Sequence, residues 1–142
     1  MPKDELRFEL ATVKPKYSLD DPVEVRVHLF NFGEEPVHVN GRLAASPGTS
    51  GEITFDLKGP SGKIPFAARV NIGKPDAEDF VYLAPFTGVS RQDELSIYFP
   101  FEEPGRYSLK ARYTNKWDGK DFGVKAWTGS LDSNQVTFEV LE

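Results

Sequence analysis

With 142 residues, 39% of them hydrophobic and 13% aromatic, the chain can bury the core of one domain, which excludes intrinsic disorder. A net charge of −5, mixed along the chain rather than clustered, excludes the concentrated positive field that nucleic-acid binding needs. The absence of cysteine excludes disulfides and thiol chemistry, and no apolar run is long enough to span a bilayer.

The first ten residues, MPKDELRFEL, carry no apolar stretch of the kind a signal peptide needs. They lead into an alternating segment in which Leu6, Phe8 and Leu10 oppose Arg7 and Glu9. Val23, Val25, Val27 and Leu29 then face away from Glu24, Arg26 and His28. Further period-two segments hold Val37 and Val39; Ile53, Phe55 and Leu57; and Phe66, Ala68, Val70 and Ile72. An apolar run follows from Phe80 to Leu83, then Leu95, Ile97 and Phe99, then Tyr107, Leu109, Ala111 and Tyr113. Val136, Phe138 and Val140 close the series. A helix would repeat its apolar residues every three or four positions, and no long window does so.

Between these segments stand SLDDP, NFGEEP, SPGTSG, GPSGK, GKPD and EEPG. Their Gly, Pro, Asp, Asn and Ser supply the backbone angles and local hydrogen bonds of turns. Short strands punctuated in this way predict an all-β, antiparallel β-sandwich of about seven to nine strands. There is no repeat, low-complexity tract or linker, so residues 1–142 are expected to form a single domain.

In EEPGRYSLKARY, Tyr107 follows a Pro-Gly corner, and Leu109 stands where an antibody domain carries its second cysteine. This pattern resembles the immunoglobulin-like and fibronectin-like sandwiches of bacterial accessory domains. VEVRVHLFNFGEEPVHV (23–39) is similar to the strand, Asn-x-Gly turn and strand of such domains, including the intracellular proteinase inhibitor type. SNQVTFEV (133–140) resembles their closing edge strand. The resemblance implies an immunoglobulin-like sandwich with Tyr107 as a structural corner residue, and it favours an extracytoplasmic setting. The chain departs from antibody domains in lacking both cysteines and a Trp on the third strand. Phe and aliphatic packing are expected to replace that pin. The fold alone warrants no activity.

Catalytic constellations are missing. A Cys-His dyad is impossible, no G-x-S-x-G elbow serves a Ser-His-Asp triad, and there is no H-E-x-x-H, P-loop or G-x-G-x-x-G motif. The chain is therefore expected not to be an enzyme. His28 and His38 could share a metal if NFGEE closed a hairpin, but the preferred reading makes both solvent-facing members of alternating strands, which an immunoglobulin arrangement would place in different sheets. No metal site is assigned and no cofactor is expected. Loop calcium stays open through Asp20 and Asp21, Asp76 with Glu78 and Asp79, Asp118 with Asp121, and Asp132, although none matches an EF-hand spacing.

The segment YTNKWDGKDFGVKAWTGSLDSN (113–134) is a long, Gly- and Asp-rich connection that carries Trp117, Phe122 and Trp127. Long ordered loops at the ends of sandwiches are common binding sites, and flat aromatic faces beside polar groups suit a sugar or a protein partner. Trp117 and Phe122, flanked by Lys116, Asp118, Lys120 and Asp121, are expected to be partly exposed, with Asp118 and Asp121 as accompanying ligand contacts. Trp127, after Val124 and Ala126, is expected to fold back onto the core as a structural residue. The opposite reading makes all three rings a cap on the open end of the core. The loop AASPGTSGE (44–52) is expected to be either a flexible surface loop or a contact segment.

These features together predict a non-catalytic binding or accessory module that meets a protein or carbohydrate partner through its end loops, with no nucleic-acid partner and no membrane insertion. A proteinase inhibitor and a purely structural domain of a larger secreted or envelope protein are the alternatives. The first lacks the Asn-Pro-Thr-Thr-Gly-type and Arg-Pro-Trp-type loops of chagasin-like inhibitors.

Overall fold

The computed structural model of the chain describes residues 5–48, 50–70 and 72–142. Among these lie eleven strands. In chain order they are β1 (Leu6–Thr12), β2 (Lys16–Ser18), β3 (Glu24–Asn31), β4 (Val37–Asn40), β5 (Ile53–Gly59) and β6 (Gly62–Ile64). The remainder are β7 (Phe80–Leu83), β8 (Gly88–Glu94), β9 (Gly105–Asn115), β10 (Gly129–Asp132) and β11 (Val136–Leu141). The helical pieces among the described residues are 3-10 turns of three residues at Ala77–Asp79, Leu95–Ile97 and Lys120–Phe122.

The alternation in the sequence becomes alternation in burial. β1 buries Leu6, Phe8 and Leu10 and exposes Arg7 and Glu9, and β3 buries Val25, Val27 and Leu29 opposite them. β9 turns Tyr107, Leu109, Ala111 and Tyr113 inward along its whole length. Each such large apolar side chain contributes about 1.5–3 kcal/mol relative to exposure, which fixes the register, because a slip of one residue would put the set into water.

Three sheets result. β1, β3 and β8 form one in that order, and β2, β11, β9, β5 and β6 form a larger one, with β10 also on β9. Neighbours are antiparallel except β2 and β11, which run parallel. β4 and β7 make a separate antiparallel pair. The inner faces of the first two sheets meet over one core, where the Phe8 ring lies 5.9 Å from Tyr113. At the other end Tyr107, Phe138, Phe101 and Tyr17 form an aromatic cluster, with Tyr107 stacked on Phe138 at 5.6 Å. The chain is thus an all-β, sandwich-like protein. The Asn134 amide ties the sheets at one edge, donating to Leu10 O at 3.0 Å and accepting from Leu10 N at 2.9 Å.

Several expected elements differ. The strand count among the described residues is eleven rather than seven to nine: β2, β6, β8 and β10 join the expected strands, and β2 and β6 span only three residues, too few for alternation to register. The expected strand through Phe66, Ala68, Val70 and Ile72 forms no ladder; Phe66, Ala68 and Val70 are half-buried in alternation, but Ala67 N bonds the Tyr98 carbonyl at 2.7 Å instead of a neighbouring strand. Asn71, within that stretch, lies outside the described residues. Leu95 and Ile97 belong to a 3-10 turn that leaves Ile97 exposed, while the preceding polar stretch GVSRQDE is strand β8. β8 is recruited by pairing with β3, which needs backbone groups and not apolar side chains.

The loop 44–52 is not a loose surface segment. Ser46 and Glu52 are buried, and the Ser46 hydroxyl donates to Gly48 O and accepts from Gly51 N. Thr49, within it, lies outside the described residues.

Candidate functional site

β9 ends at Asn115, and the chain returns opposite it at Gly129, so residues 116–128 are the loop of a long hairpin. Asn115 closes its base. Its buried amide donates to the Trp117 carbonyl at 2.8 Å and the Trp127 carbonyl at 2.6 Å, while its oxygen accepts the Trp117 N–H at 3.1 Å. One side chain thereby ties both ends of the loop.

The loop is also bonded within itself. Ala126 N donates to Asp118 O at 2.7 Å, Phe122 N to Gly119 O at 2.9 Å, and Lys120 N to the Asp118 carboxylate at 2.9 Å. Gly119 sits at φ 74°, and a Cβ there would overlap the Val124 side chain. Only glycine meets both demands without strain.

The returning limb of the loop runs beside β4. Ala126 bridges His38, and Trp127 N donates to the His38 carbonyl at 2.8 Å. β4 in turn pairs with β7, whose first residue, Phe80, meets Phe122 at a ring separation of 5.9 Å. A cleft of about 320 Å³ opens between the loop and residues 74–76. Trp117, Asp118, Gly119, Lys120, Asp121 and Phe122 form one wall, and Lys74, Pro75, Asp76 and Phe80 form the other.

The structure brings Trp117, Phe122, Asp118 and Asp121 together at this cleft. Trp117 is half-buried, Phe122 is 45% exposed, and the two aspartates are exposed at the rim. Trp127 lies away from the cleft, half-buried against the core and stacked over Tyr113 at 6.0 Å. Tyr107 is remote from the cleft, in the aromatic cluster, where its hydroxyl donates to the Glu103 carbonyl at 2.6 Å.

The cleft carries both signs of charge. Lys74 and Lys116 place their ammonium groups 5.6 and 5.2 Å from the Trp117 ring centroid, within cation–π range. Asp76, Asp118 and Asp121 oppose Lys74 and Lys120 on the walls.

Beneath the loop lies a buried polar network. Glu52, 2% exposed, accepts from Arg42 Nη2 at 2.7 Å, Arg42 Nε at 3.0 Å, Ala44 N at 3.1 Å and Asn40 Nδ2 at 3.1 Å. This bonding holds the Arg42 guanidinium above its usual range. Tyr113 donates to the Asn40 carbonyl at 2.9 Å, and burial, with Glu52 nearby, pushes its phenol far up.

Sequence reasoning missed Phe80 and Lys74 as cleft residues and the network of Asn40, Arg42, Glu52 and Asn115. Phe80 read as an ordinary strand residue, and nothing local in the sequence signals its meeting with Phe122. Asp76 entered only among candidate calcium carboxylates.

Four of those carboxylates have local partners. Asp21 accepts Ser18 N, Asp79 accepts Asp76 N, Asp118 accepts Lys120 N, and Asp132 pairs with Arg112. Among the described residues no three His, Asp or Glu side chains are grouped so as to hold a metal ion. His28 and His38 stand on different sheets, because NFGEEP joins β3 to β4 without pairing them. The His28 ring stacks on Phe30 at 5.7 Å, and His38 lies 5.4 Å from Tyr82.

A larger hollow of about 630 Å³ covers the outer face of β5, β9 and β10. Its lining side chains carry polar groups that bond to one another, as in Arg112 with Asp132 and Thr114 with Ser130, and no aromatic ring opens onto it.

No protein-family model matches the chain, and no curated protein matches it significantly. Among solved structures it is similar to a β-glucosidase, EmGH1, from Erythrobacter marinus, at 11% identity and a TM-score of 0.40. The match covers 96% of this chain and 15% of that one.

Proposed function

We propose that this chain is a non-catalytic binding module on an immunoglobulin-like β-sandwich, which recognises a glycan or protein partner through loops at one end. The strand order supports the immunoglobulin-like assignment: β1-β3-β8 faces β2-β11-β9-β5-β6, and the early strand β2 lies parallel to the last strand β11. The Tyr107–Glu103 hydrogen bond at the start of β9 supports it too, since it has the form of a tyrosine corner. Phe8 and Trp127 both pack on Tyr113, in keeping with aromatic packing in a core that has no disulfide. No catalytic step and no cofactor form part of the proposal, and neither nucleic acid nor membrane insertion does.

One observation carries the functional reading. Trp117, Phe122 and Phe80 border a cleft on a loop that is already folded and bonded, so partly exposed aromatic surface is held ready at little ordering cost. Trp117→Ala combined with Phe122→Ala tests it. The double variant is expected to melt within a few degrees of the parent, as surface substitutions do, and to lose capture by glycan arrays and pull-down partners that retain the parent. A double variant that unfolds identifies these rings as a lid on the core and ends the reading.

A further inference from the structure

We infer that the cleft between the 116–128 loop and residues 74–80 takes a short neutral saccharide of one or two rings, an inference that rests on the end-loop reading above.

Its size points that way first. About 320 Å³ lies at the lower end of the roughly 300–1,000 Å³ typical of small-molecule sites. A protein partner would have to cover an area of about 800 Å² per side to bind stably, far beyond this cleft.

Its charge decides the chemical class. Three carboxylates share the walls with the ammonium groups of Lys74 and Lys120, and Lys116 adds a third over Trp117, so no sign prevails. A sulfated or uronate ligand would meet Asp76, Asp118 and Asp121, and a cationic ligand would meet Lys74 and Lys120. A polyhydroxyl ligand suits both sets. Its hydroxyls donate to the carboxylates and accept from the ammonium groups, and such charge-assisted bonds are the stronger kind.

The aromatic surface supplies the remaining contact. The apolar C–H face of a pyranose can lie on the half-exposed Trp117 ring, with the exposed Phe122 ring at its edge. The lysines over Trp117 lie more than 5 Å from its centroid on flexible stems, so they can yield that face and remain as donors. Asp118, by contrast, is held through the Lys120 amide at 2.9 Å.

The test is isothermal titration of the whole chain with three probe sets. The first is neutral mono- and disaccharides of glucose, galactose, mannose and xylose. The second is their uronate and sulfated counterparts, and the third is pools of random peptides. At least one neutral saccharide is expected to saturate the chain with a Kd near ~1 mM or below, while its acidic counterpart binds more weakly. Trp117→Ala is expected to weaken that binding roughly tenfold, the scale of one lost aromatic contact. In a Trp127→Phe variant, where Trp117 is the sole indole, the same saccharide is expected to shift the fluorescence. No saturation by any neutral saccharide up to about 10 mM overturns the inference. If acidic oligosaccharides or peptides bind instead, and do so through Trp117, the saccharide class is wrong while the end-loop reading stands. If whatever binds is indifferent to Trp117→Ala and Phe122→Ala, both fall.

Discussion

Asn115→Ala should loosen the candidate site without touching any ring in it. The Asn115 amide is 2% exposed and serves three backbone groups of the loop: the N–H and C=O of Trp117 and the C=O of Trp127. Its further bond from Asn40, at 3.3 Å, is replaceable, because that Asn40 amide also reaches Glu52. Removing three such bonds at about 1 kcal/mol each costs about 3 kcal/mol. At about 2–4 °C per kcal/mol for a chain of this size, the melting temperature should fall by about 6–12 °C. Amide exchange across residues 116–128 should accelerate more than exchange in β3 or β9.

Asn115→Asp sharpens the test. It replaces a donor that faces two carbonyls with a carboxylate oxygen, so at about pH 7 it should destabilise at least as much as alanine. The two carbonyls favour the protonated acid, which raises its folded-state pKa above the unfolded value of about 3.9. The part that the single O–H of the acid can restore should therefore return as the pH falls through that raised value, and be fully present below about pH 3.9. An Asn115→Ala variant that melts within about 1 °C of the parent, with unchanged exchange in the loop, would refute the idea that this amide holds the site.

Tyr107→Phe deletes a 2.6 Å hydrogen bond to Glu103 from a ring that stays buried, and chemical denaturation should show a loss of about 1 kcal/mol or slightly more; no loss removes the corner from the account of stability. Trp127→Ala should cost about 3 kcal/mol, at the lower end for a truncated aromatic because the ring is only half-buried over Tyr113; an unchanged urea midpoint would mean it packs nothing. Tyr98, Tyr107 and Tyr113 all have phenols raised by burial, so each favours folding below the unfolded value of about 10 and loses that contribution as the pH climbs through its own folded-state value. Thermal melts should therefore fall steeply above about pH 10, with Tyr113→Phe shallower than the parent once its own lost hydrogen bond is subtracted; parallel curves would show that Tyr113 ionises as easily folded as unfolded.

Most of the core was legible because burial in a sandwich follows a period of two. Leu6, Phe8 and Leu10, Val25, Val27 and Leu29, and the inward residues of β9 could all be named from alternation alone. The errors fall where pairing and side-chain pattern separate. β8 is a strand with no apolar rhythm because its outer face meets water and its backbone is completed by β3. Residues 66–70 keep the rhythm of burial yet make no ladder, since lying on a core surface requires no hydrogen-bonded neighbour.

The site divides along a similar line. Trp117, Phe122 and the rim aspartates stood out because aromatics set among charges within a long loop are a local signal, visible in a dozen residues. The opposite wall carries no such signal. Lys74, Asp76 and Phe80 reach the cleft only because β7 pairs with β4 and β4 guides the return of the loop through His38. The same holds for Asn40, Glu52 and Asn115, which are polar residues in strands or beside them and read as solvent-facing until the loop closes over them. Burying them is costly unless every donor and acceptor finds a partner, and here each finds one in a different segment of the chain. The shape of the cleft is therefore set from β4, β5, β7 and β9 together. A substitution at Asn115, which borders no part of the cleft, should therefore disturb recognition through the Trp117 and Trp127 backbone groups its amide holds, where one at Trp117 disturbs it directly.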